Sequence, residues 1–184
     1  MREAVKTYRG WRAKGFDAPR IAVNVSASQL RNRDYLMQVC DAVGGGREDC
    51  GLDLEITESM LMESIDENRD KLRQVRELGV RIALDDFGTG YSSLGYLSRL
   101  PIDTLKIDRT FIRGMTEKAD DASIVSAMIS LGKALNLTIV AEGVETEEQA
   151  RLLRLLRCHE MQGWLFSKAV PKEQLEYLLA PEVV

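Results

Sequence analysis

Hydrophobic and polar positions along this chain alternate between a helical period and a strand period. Stretches with apolar residues at every third or fourth position predict amphipathic helices, and short alternating stretches predict strands. The predicted helices cover residues 2–14, 28–43, 66–78, 92–99, 121–135, 146–157 and 171–179. The predicted strands cover residues 20–25, 52–57, 80–85, 103–107, 137–142 and 159–164. Strands that alternate with helices of this length indicate βαβ units and a parallel sheet.

Short polar signals mark several of the element boundaries. Ser64 with Glu67, and Thr146 with Gln149, have the spacing of a capping box at the start of a helix. The three glycines at 44–46 predict a flexible connection.

The number of elements leaves two architectures open. A length of 184 residues predicts one domain. Six strands and seven helices can form an open doubly wound sheet, whereas a complete (β/α)8 barrel typically has about 250 residues. Because the chain begins directly with a predicted helix, a barrel would lack its first strand. We therefore expect an open sheet or an incomplete barrel.

Composition and charge exclude several classes of protein. The chain is 45% hydrophobic and 29% charged, which is ordinary for a globular protein. A formal net charge of −4 provides no basic field, so DNA, RNA and acidic membranes are not expected partners. No stretch is apolar enough to predict a membrane span. The three scattered cysteines predict reduced thiols in a cytoplasmic protein.

Almost every predicted strand ends in a polar residue on the face opposite its apolar residues. Because side chains alternate along a strand, the apolar set can face the helices while the polar set faces the centre. The carboxyl ends of parallel strands share one rim, where sites form in such folds. These polar positions are Asn24, Glu55, Asp85, Lys106, Glu142 and, in the last segment, Gln162.

The adjacent carboxylates Asp85 and Asp86 are the most informative of these residues. Two neighbouring carboxylates repel each other, and divalent cations commonly compensate that charge. Taken alone, the pair fits a helix cap equally well. The other strand ends also offer oxygen ligands from Asn, Asp and Glu, and none offers His or Cys. This ligand set favours Mg²⁺ or Mn²⁺ over zinc. Lys106 either extends into solvent or stays against the carboxylates, where it can orient a water or meet a phosphate oxygen. His159 is interpreted as structural.

Six motifs, in this order along the chain, resemble those of the EAL domain family. They are NVS at 24–26, LEITES at 54–59, DDFGTGYSSL at 85–94, LKID at 105–108, AEGVE at 141–145 and MQGWLF at 161–166. That family comprises cyclic-di-GMP phosphodiesterases on an α/β fold of the (β/α)8 TIM-barrel type. The resemblance implies one such domain over 1–184, incomplete, with about six strands and seven helices. It also implies cyclic-di-GMP as ligand and a homodimer or other self-association.

The resemblance assigns a role to each candidate residue. The implied ligands of two divalent ions, Mg²⁺ or Mn²⁺, are Asn24, Glu55, Asp85, Asp86 and Glu142. Glu142 is also the implied general base, and Lys106 would help to position the attacking water. The implied supporting residues are Glu58, which would anchor the DFGTG loop, Gln162 near the reaction centre, and Asp108 and Glu145 at the rim. The implied reaction is hydrolysis of cyclic-di-GMP to linear pGpG.

The motif that gives the family its name has no counterpart in residues 1–20. Glu3-Ala4-Val5 is similar in letters, but it lies in a helical pattern too close to NVS. The resemblance therefore implies a domain without its N-terminal strand and first helix, and an open sheet edge that lowers stability or favours self-association. Trp164 stands where the family usually has tyrosine.

Two alternatives to the phosphodiesterase remain open. One is a catalytically inactive cyclic-di-GMP receptor or partner-binding module. The other, outside the family, is a different Mg²⁺-dependent α/β enzyme in which Lys106 acts as the base.

Overall fold

The computed structural model describes residues 1–45, 49–90 and 94–179. Gly46, residues 91–93 of the DDFGTGYSSL motif and the predicted start of a helix at 92 lie outside the described residues. The strands are β1 Ile21–Asn24, β2 Leu52–Thr57, β3 Arg81–Phe87, β4 Thr104–Ile107, β5 Thr138–Glu142 and β6 Glu160–Gln162. The helices are α1 Arg2–Ala13, α2 Ala27–Arg31, α3 Tyr35–Val43, α4 Glu58–Met62, α5 Ile65–Glu77, α6 Leu94–Leu97, α7 Arg109–Gly114, α8 Ala119–Ala134, α9 Glu147–Leu155 and α10 Lys172–Leu179.

The strand order decides between the two predicted architectures. The six strands form one sheet in the order β1-β2-β3-β4-β5-β6, which is also their order along the chain. The pairs β1–β2, β3–β4, β4–β5 and β5–β6 are parallel. A doubly wound sheet reverses its strand order at a switch point, whereas a barrel adds each new strand on the same side. The fold is therefore an incomplete α/β fold of the TIM-barrel type.

The chain divides into two compact units, and the first contains α1, β1 and α10. It comprises Met1–Glu55, Ser64–Ile82 and the segment from Ala169 onward. Tyr8 and Trp11 of α1 are buried with Ala18, and Leu175 of α10 packs against this cluster. The Trp11 indole N–H donates to Glu176 Oε1 at 3.0 Å, so α1 and α10 are joined by a polar contact as well.

The second unit contains most of the sheet's polar strand ends. It comprises Ile56–Glu63 and Ala83–Lys168. Its core is apolar side chains of β3, β4 and β5, packed in part against α7 and α8. Gly132 of α8 lies so close to Ile139 of β5 that an added Cβ would be 1.9 Å from the Ile139 Cδ1 atom. Close packing of this kind holds the strands, and therefore their ends, in place.

One of the two predicted capping boxes forms. The Gln149 N–H donates to Thr146 Oγ1 at 3.2 Å, and the Thr146 N–H donates to Gln149 Oε1 at 3.0 Å. The box predicted at Ser64 is wrong, because Ser64 makes no side-chain cap. Instead, Glu67 Oε1 lies 3.9 Å from Lys71 Nζ, one turn further along the helix.

Ten helices, rather than the predicted seven, lie in the described residues. The predicted helix 28–43 is two helices, since Asn32 Oδ1 accepts the Asp34 N–H at 2.9 Å and draws the backbone out of the helix between them. The short helices α4 and α7 have five and six residues, too few to show a helical period. No helix within the described ranges is both long and apolar enough to cross a membrane.

Candidate metal centre

Strand β3 ends in a bulge that places two consecutive aspartates against a single residue of β4. Leu84 pairs with Leu105 and Phe87 pairs with Ile107, so Asp85 and Asp86 together face the one intervening position of β4. Asp86 adopts a left-handed backbone conformation with φ of 55°. Aspartate tolerates this conformation better than most residues, and bulges commonly re-aim side chains beside active sites. The bulge therefore allows both carboxylates to serve one site.

Three carboxylates and one ammonium group meet at the ends of β3, β4 and β5. Carboxylate oxygens of Asp85, Asp86 and Glu142 all lie within 4.8 Å of one another. Lys106 Nζ lies 3.1 Å from Asp85 Oδ1 and 2.6 Å from Glu142 Oε1. Only 5% of Lys106 is exposed, so this lysine stays against the carboxylates and does not extend into solvent.

The donor set fits a divalent cation. Asp85 Oδ1 is buried and accepts no hydrogen bond of normal geometry from the described residues, although Lys106 Nζ forms an ion pair with it. A buried carboxylate oxygen without a hydrogen bond is costly, and a cation would satisfy it. Oxygen ligands from carboxylates suit Mg²⁺ and Mn²⁺.

The electrostatics of Asp86 also favour a bound cation. Burial raises the pKa of Asp86, and the negative charges of Asp85 and Asp108 raise it further, while Lys106 lowers it in part. The ionised form of Asp86 is thus disfavoured by its surroundings. A divalent ion at this position would reverse that balance.

Asn24 and Glu55 lie side by side in the first unit, at the carboxyl ends of β1 and β2. They are partners in the register of the two parallel strands. Glu55 is buried and Asn24 is exposed. The Val25 N–H donates to the backbone oxygen of Glu55 at 2.9 Å, which extends the pairing beyond the strands. Their assignment as metal ligands stays a prediction.

Comparison with known proteins shows the family of this chain. A family model described as the EAL domain matches residues 1–169. The chain belongs to the EAL domain family. It is 43% identical over 180 residues to cyclic di-GMP phosphodiesterase NbdA of Pseudomonas aeruginosa, an alignment that covers 97% of this chain and 23% of NbdA. The chain spans about a quarter of the length of the curated relatives it matches.

Two solved structures of cyclic-di-GMP complexes resemble this fold. The MucR phosphodiesterase of Pseudomonas aeruginosa in complex with c-di-GMP matches with a TM-score of 0.89 and 47% identity, covering 95% of this chain and 71% of that one. The calcium and cyclic-di-GMP complex of Klebsiella pneumoniae BlrP1 matches with a TM-score of 0.72 and 32% identity, covering 81% of this chain and 38% of that one.

Glu58, in the LEITES motif at 54–59, contacts the loop that follows β3. It is 2% exposed, and its Oε2 accepts the Gly88 N–H at 3.2 Å. A Cβ added at Gly90 would lie 2.6 Å from Glu58 Oε1, so the loop passes directly over the carboxylate. Glu58 is therefore placed where it can hold this loop.

The other supporting residues predicted for the EAL site differ in their surroundings. Asp108 caps α7 by accepting the Thr110 N–H at 2.9 Å, and its negative charge contributes to the raised pKa of Asp86. Gln162 is exposed and is the register partner of Glu142. Glu145 is exposed, with its side chain outside the carboxylate group of Asp85, Asp86 and Glu142.

His159 has a backbone partner, as the structural interpretation predicted. Its Nδ1 accepts the Ile139 N–H at 3.0 Å. The ring thus continues the hydrogen bonding at the amino-terminal side of β5.

Sequence reasoning missed the role of Gln149 beyond its capping box. This residue is 4% exposed, and its Oε1 accepts the N–H groups of Glu145 and Thr146 at 2.8 and 3.0 Å. Its Nε2 donates to the backbone oxygen of Ile112 in α7 at 3.3 Å. One side chain thus ties the loop after Glu142 to α7. The only sequence signal was the capping spacing, which does not reveal the contact with α7.

Proposed function

We propose that this chain hydrolyses cyclic-di-GMP to linear pGpG by means of a water activated by two divalent cations, Mg²⁺ or Mn²⁺. The observation that carries the proposal is the group of Asp85, Asp86 and Glu142 around Lys106 at three adjacent strand ends. The relative NbdA is named a cyclic di-GMP phosphodiesterase, and the MucR structure is a c-di-GMP complex.

The carboxylates would hold the cations. Asp85, Asp86 and Glu142 offer oxygens close enough to share them, and Asn24 and Glu55 are the proposed further ligands. When bound, two cations neutralise non-bridging phosphate oxygens, lower the pKa of a water and favour in-line displacement. This chemistry needs hard oxygen ligands, which these residues supply.

Lys106 and Glu142 would act on the attacking water. Glu142 accepts its proton, and Lys106, 2.6 Å from Glu142 Oε1, holds that carboxylate in position. The burial of Lys106 keeps the ammonium at a fixed place, where it also balances the charge of Asp85. Glu58 would steady the loop after β3, and Asp108, Glu145 and Gln162 would support the rim.

The test is incubation with cyclic-di-GMP and Mn²⁺ or Mg²⁺, followed by separation of pGpG. We expect turnover that Asp85→Ala and Glu142→Ala each abolish. Asp120→Ala, which changes an exposed acid in the first turn of α8, is the matched control and should leave turnover unchanged. If no pGpG forms with Mn²⁺ and none forms with Mg²⁺, the proposal is contradicted.

Binding without turnover is the second candidate. The 184-residue sequence contains no Glu-Ala-Leu triplet, whose glutamate is a metal ligand in the family. Calorimetry with cyclic-di-GMP in Ca²⁺ separates the two functions, because a receptor gives a binding isotherm and no pGpG. Light scattering on the same samples tests the proposed homodimer, for which we expect twice the mass of one chain.

A further inference from the structure

Gln149 is a buried amide whose side chain bonds backbone groups at both of its ends. Its Oε1 accepts the N–H groups of Glu145 and Thr146, and its Nε2 donates to the Ile112 oxygen of α7. A capping box accounts for the bonds with Thr146, but not for those with Glu145 and Ile112. The side chain therefore does more than begin α9.

The backbone that Gln149 holds leads directly out of the carboxylate group. Glu145 is three residues beyond Glu142, so their Cα atoms are within about 11 Å of each other. Val144 lies between them and is fully buried, and its N–H donates to the Gln162 oxygen at 3.0 Å. That bond fixes one side of the segment to β6. The Gln149 side chain fixes the same segment to α7.

The helix at the other end of this contact begins beside the carboxylates. Asp108, which caps α7, contributes to the raised pKa of Asp86. Gly143 meets the next residue of the helix, since an added Cβ would lie 2.5 Å from the Arg109 Cβ. Ile112 is fully buried, so its oxygen is a fixed point of attachment. The first turn of α7 thus contacts both acidic strand ends, and Gln149 adds a hydrogen bond on the β5 side.

We propose that Gln149 is a positioning residue for Glu142, an inference that rests on the proposed function. By holding the segment after Glu142 against α7, it keeps the Glu142 carboxylate beside Lys106, where the two act on the attacking water. The effect on the rate can be large, because a displacement of about 1 Å in a reacting group can cost about 100-fold.

Gln149→Glu removes the contact with α7 and leaves the others. A carboxylate accepts the N–H groups of Glu145 and Thr146 as the amide does, but when ionised it cannot donate to the Ile112 oxygen. At saturating Mn²⁺ we expect kcat for cyclic-di-GMP to fall roughly 10- to 100-fold with KM little changed. Calorimetry in Ca²⁺ should give the same Kd for cyclic-di-GMP as the unmodified chain. An unchanged kcat would overturn the inference.

Thr146→Ala is the matched control, because it weakens the start of α9 without touching the contact with α7. It removes the Oγ1 atom that accepts the Gln149 N–H at 3.2 Å. Thermal denaturation should show a less stable chain, since a cap is lost, while kcat stays unchanged. If Thr146→Ala lowers kcat as far as Gln149→Glu does, weakening of α9 explains the loss and the inference is overturned.

Amide hydrogen exchange in EDTA gives a readout that needs no activity. In the unmodified chain the N–H groups of Glu145 and Thr146 should exchange slowly, because a buried side chain accepts both. Gln149→Met, which loses all these side-chain bonds, should speed the exchange of both groups, whereas Gln149→Glu should not. Fast exchange of both groups in the unmodified chain would overturn the inference without any variant having to fold.

The outcomes distinguish the inference from the function on which it rests. If the unmodified chain hydrolyses cyclic-di-GMP and Gln149→Glu does so at the same rate, the positioning role is overturned and the phosphodiesterase proposal stands. If the unmodified chain forms no pGpG, both are overturned.

Discussion

The carboxyl ends of β3 and β5 meet at one site but reach it by different backbone routes. Both include a residue in the left-handed region, Asp86 with φ of 55° and Gly143 with φ of 68°. Glycine adopts this conformation at little cost, whereas aspartate adopts it at some cost, although a smaller one than most residues. At Gly143 the chain needs room, since a Cβ would lie 2.5 Å from the Arg109 Cβ. At Asp86 the left-handed residue itself carries one of the three grouped carboxylates, whereas Gly143 has no side chain to contribute.

The two ends also differ in charge. The β3 end has two adjacent acids, and the pKa of Asp86 is raised by burial and by its acidic neighbours. The β5 end has Glu142, with Lys106 Nζ at 2.6 Å. Lys106 contacts both ends, but its shorter contact is to Glu142. Uncompensated negative charge is therefore concentrated at the β3 end, where a cation has the most to stabilise.

The largest expected effects come from substitutions of Asp85 at the β3 end and Glu142 at the β5 end, and the two should differ in their dependence on metal. Asp85→Asn and Glu142→Gln should each lower kcat/KM about 1,000-fold, equivalent to about 4 kcal/mol of transition-state stabilisation. A higher Mn²⁺ concentration should partly restore the activity of Asp85→Asn, because this variant loses mainly metal affinity. It should not restore the activity of Glu142→Gln, because that variant also loses the general base. Metal titrations of initial rates measure this. Equal rescue of both variants would remove the proposed distinction.

Lys106→Met should have the next largest effect. The substitution leaves Asp85 and Glu142 without their cation, and loss of one partner from a buried ion pair costs about 3 kcal/mol or more. We expect the free energy of unfolding in EDTA to fall by about that amount. Added Mn²⁺ should recover part of it, because the ion replaces the lost charge.

Denaturant titrations with and without the metal measure both values for Lys106→Met. Lys118→Met, at an exposed lysine before α8, is the control and should change stability little. If the Lys106→Met variant is as stable in EDTA as the unmodified chain, the Lys106 ammonium group does not balance the negative charge of the two strand ends.

Gly143→Ala tests the conformational difference. The added methyl group meets Arg109 and the backbone is left-handed, so we expect a loss of about 2 kcal/mol in the free energy of unfolding. Gly10→Ala is the matched control, because nothing lies within 4 Å of a Cβ added there in the middle of α1. It should raise stability by about 0.5–1 kcal/mol. Similar values for the two variants, measured by denaturation, would contradict the assignment.

Asp86→Asn should have the smallest effect and the opposite sign. Because the folded-state pKa of Asp86 is raised, its carboxyl favours folding below the ordinary aspartate pKa of about 3.9, and this contribution is lost as pH rises through the raised value. In EDTA at neutral pH the variant should therefore be more stable than the unmodified chain by up to about 1 kcal/mol.

The gain from Asp86→Asn should shrink as the pH falls toward 4. Thermal denaturation across this range follows it, and asparagine keeps the tolerance for a left-handed backbone. A gain that does not change with pH would show that charge is not its origin.

Strands β2, β3, β4 and β5 could be predicted from the sequence because each has apolar residues at alternate positions that are fully buried, such as Leu54 in β2 and Leu105 in β4. The strand ends Asp85, Lys106 and Glu142 follow from the same alternation. The short helices α4 and α7 could not be predicted, since tertiary contacts rather than a long periodic stretch support them.

Alternation fails for Asp86. A regular strand would send Asp85 and Asp86 to opposite faces, and only the bulge brings their carboxylates together. The resemblance to the family suggested a shared site, but nothing local in the sequence specifies a bulge. The contact of Gln149 with Ile112 was likewise hidden, because it joins residues far apart in the chain.

The hydrogen bond from Trp11 to Glu176 has a consequence for the order of folding. The two residues are 165 positions apart, and α10 also covers part of the apolar cluster around Trp11. During synthesis from the amino terminus, α1 is made long before the helix that completes its surroundings. Such distant contacts slow folding and leave apolar surface exposed meanwhile. A ribosome-bound fragment that ends before Lys172 should therefore keep Trp11 accessible to solvent and to chaperones.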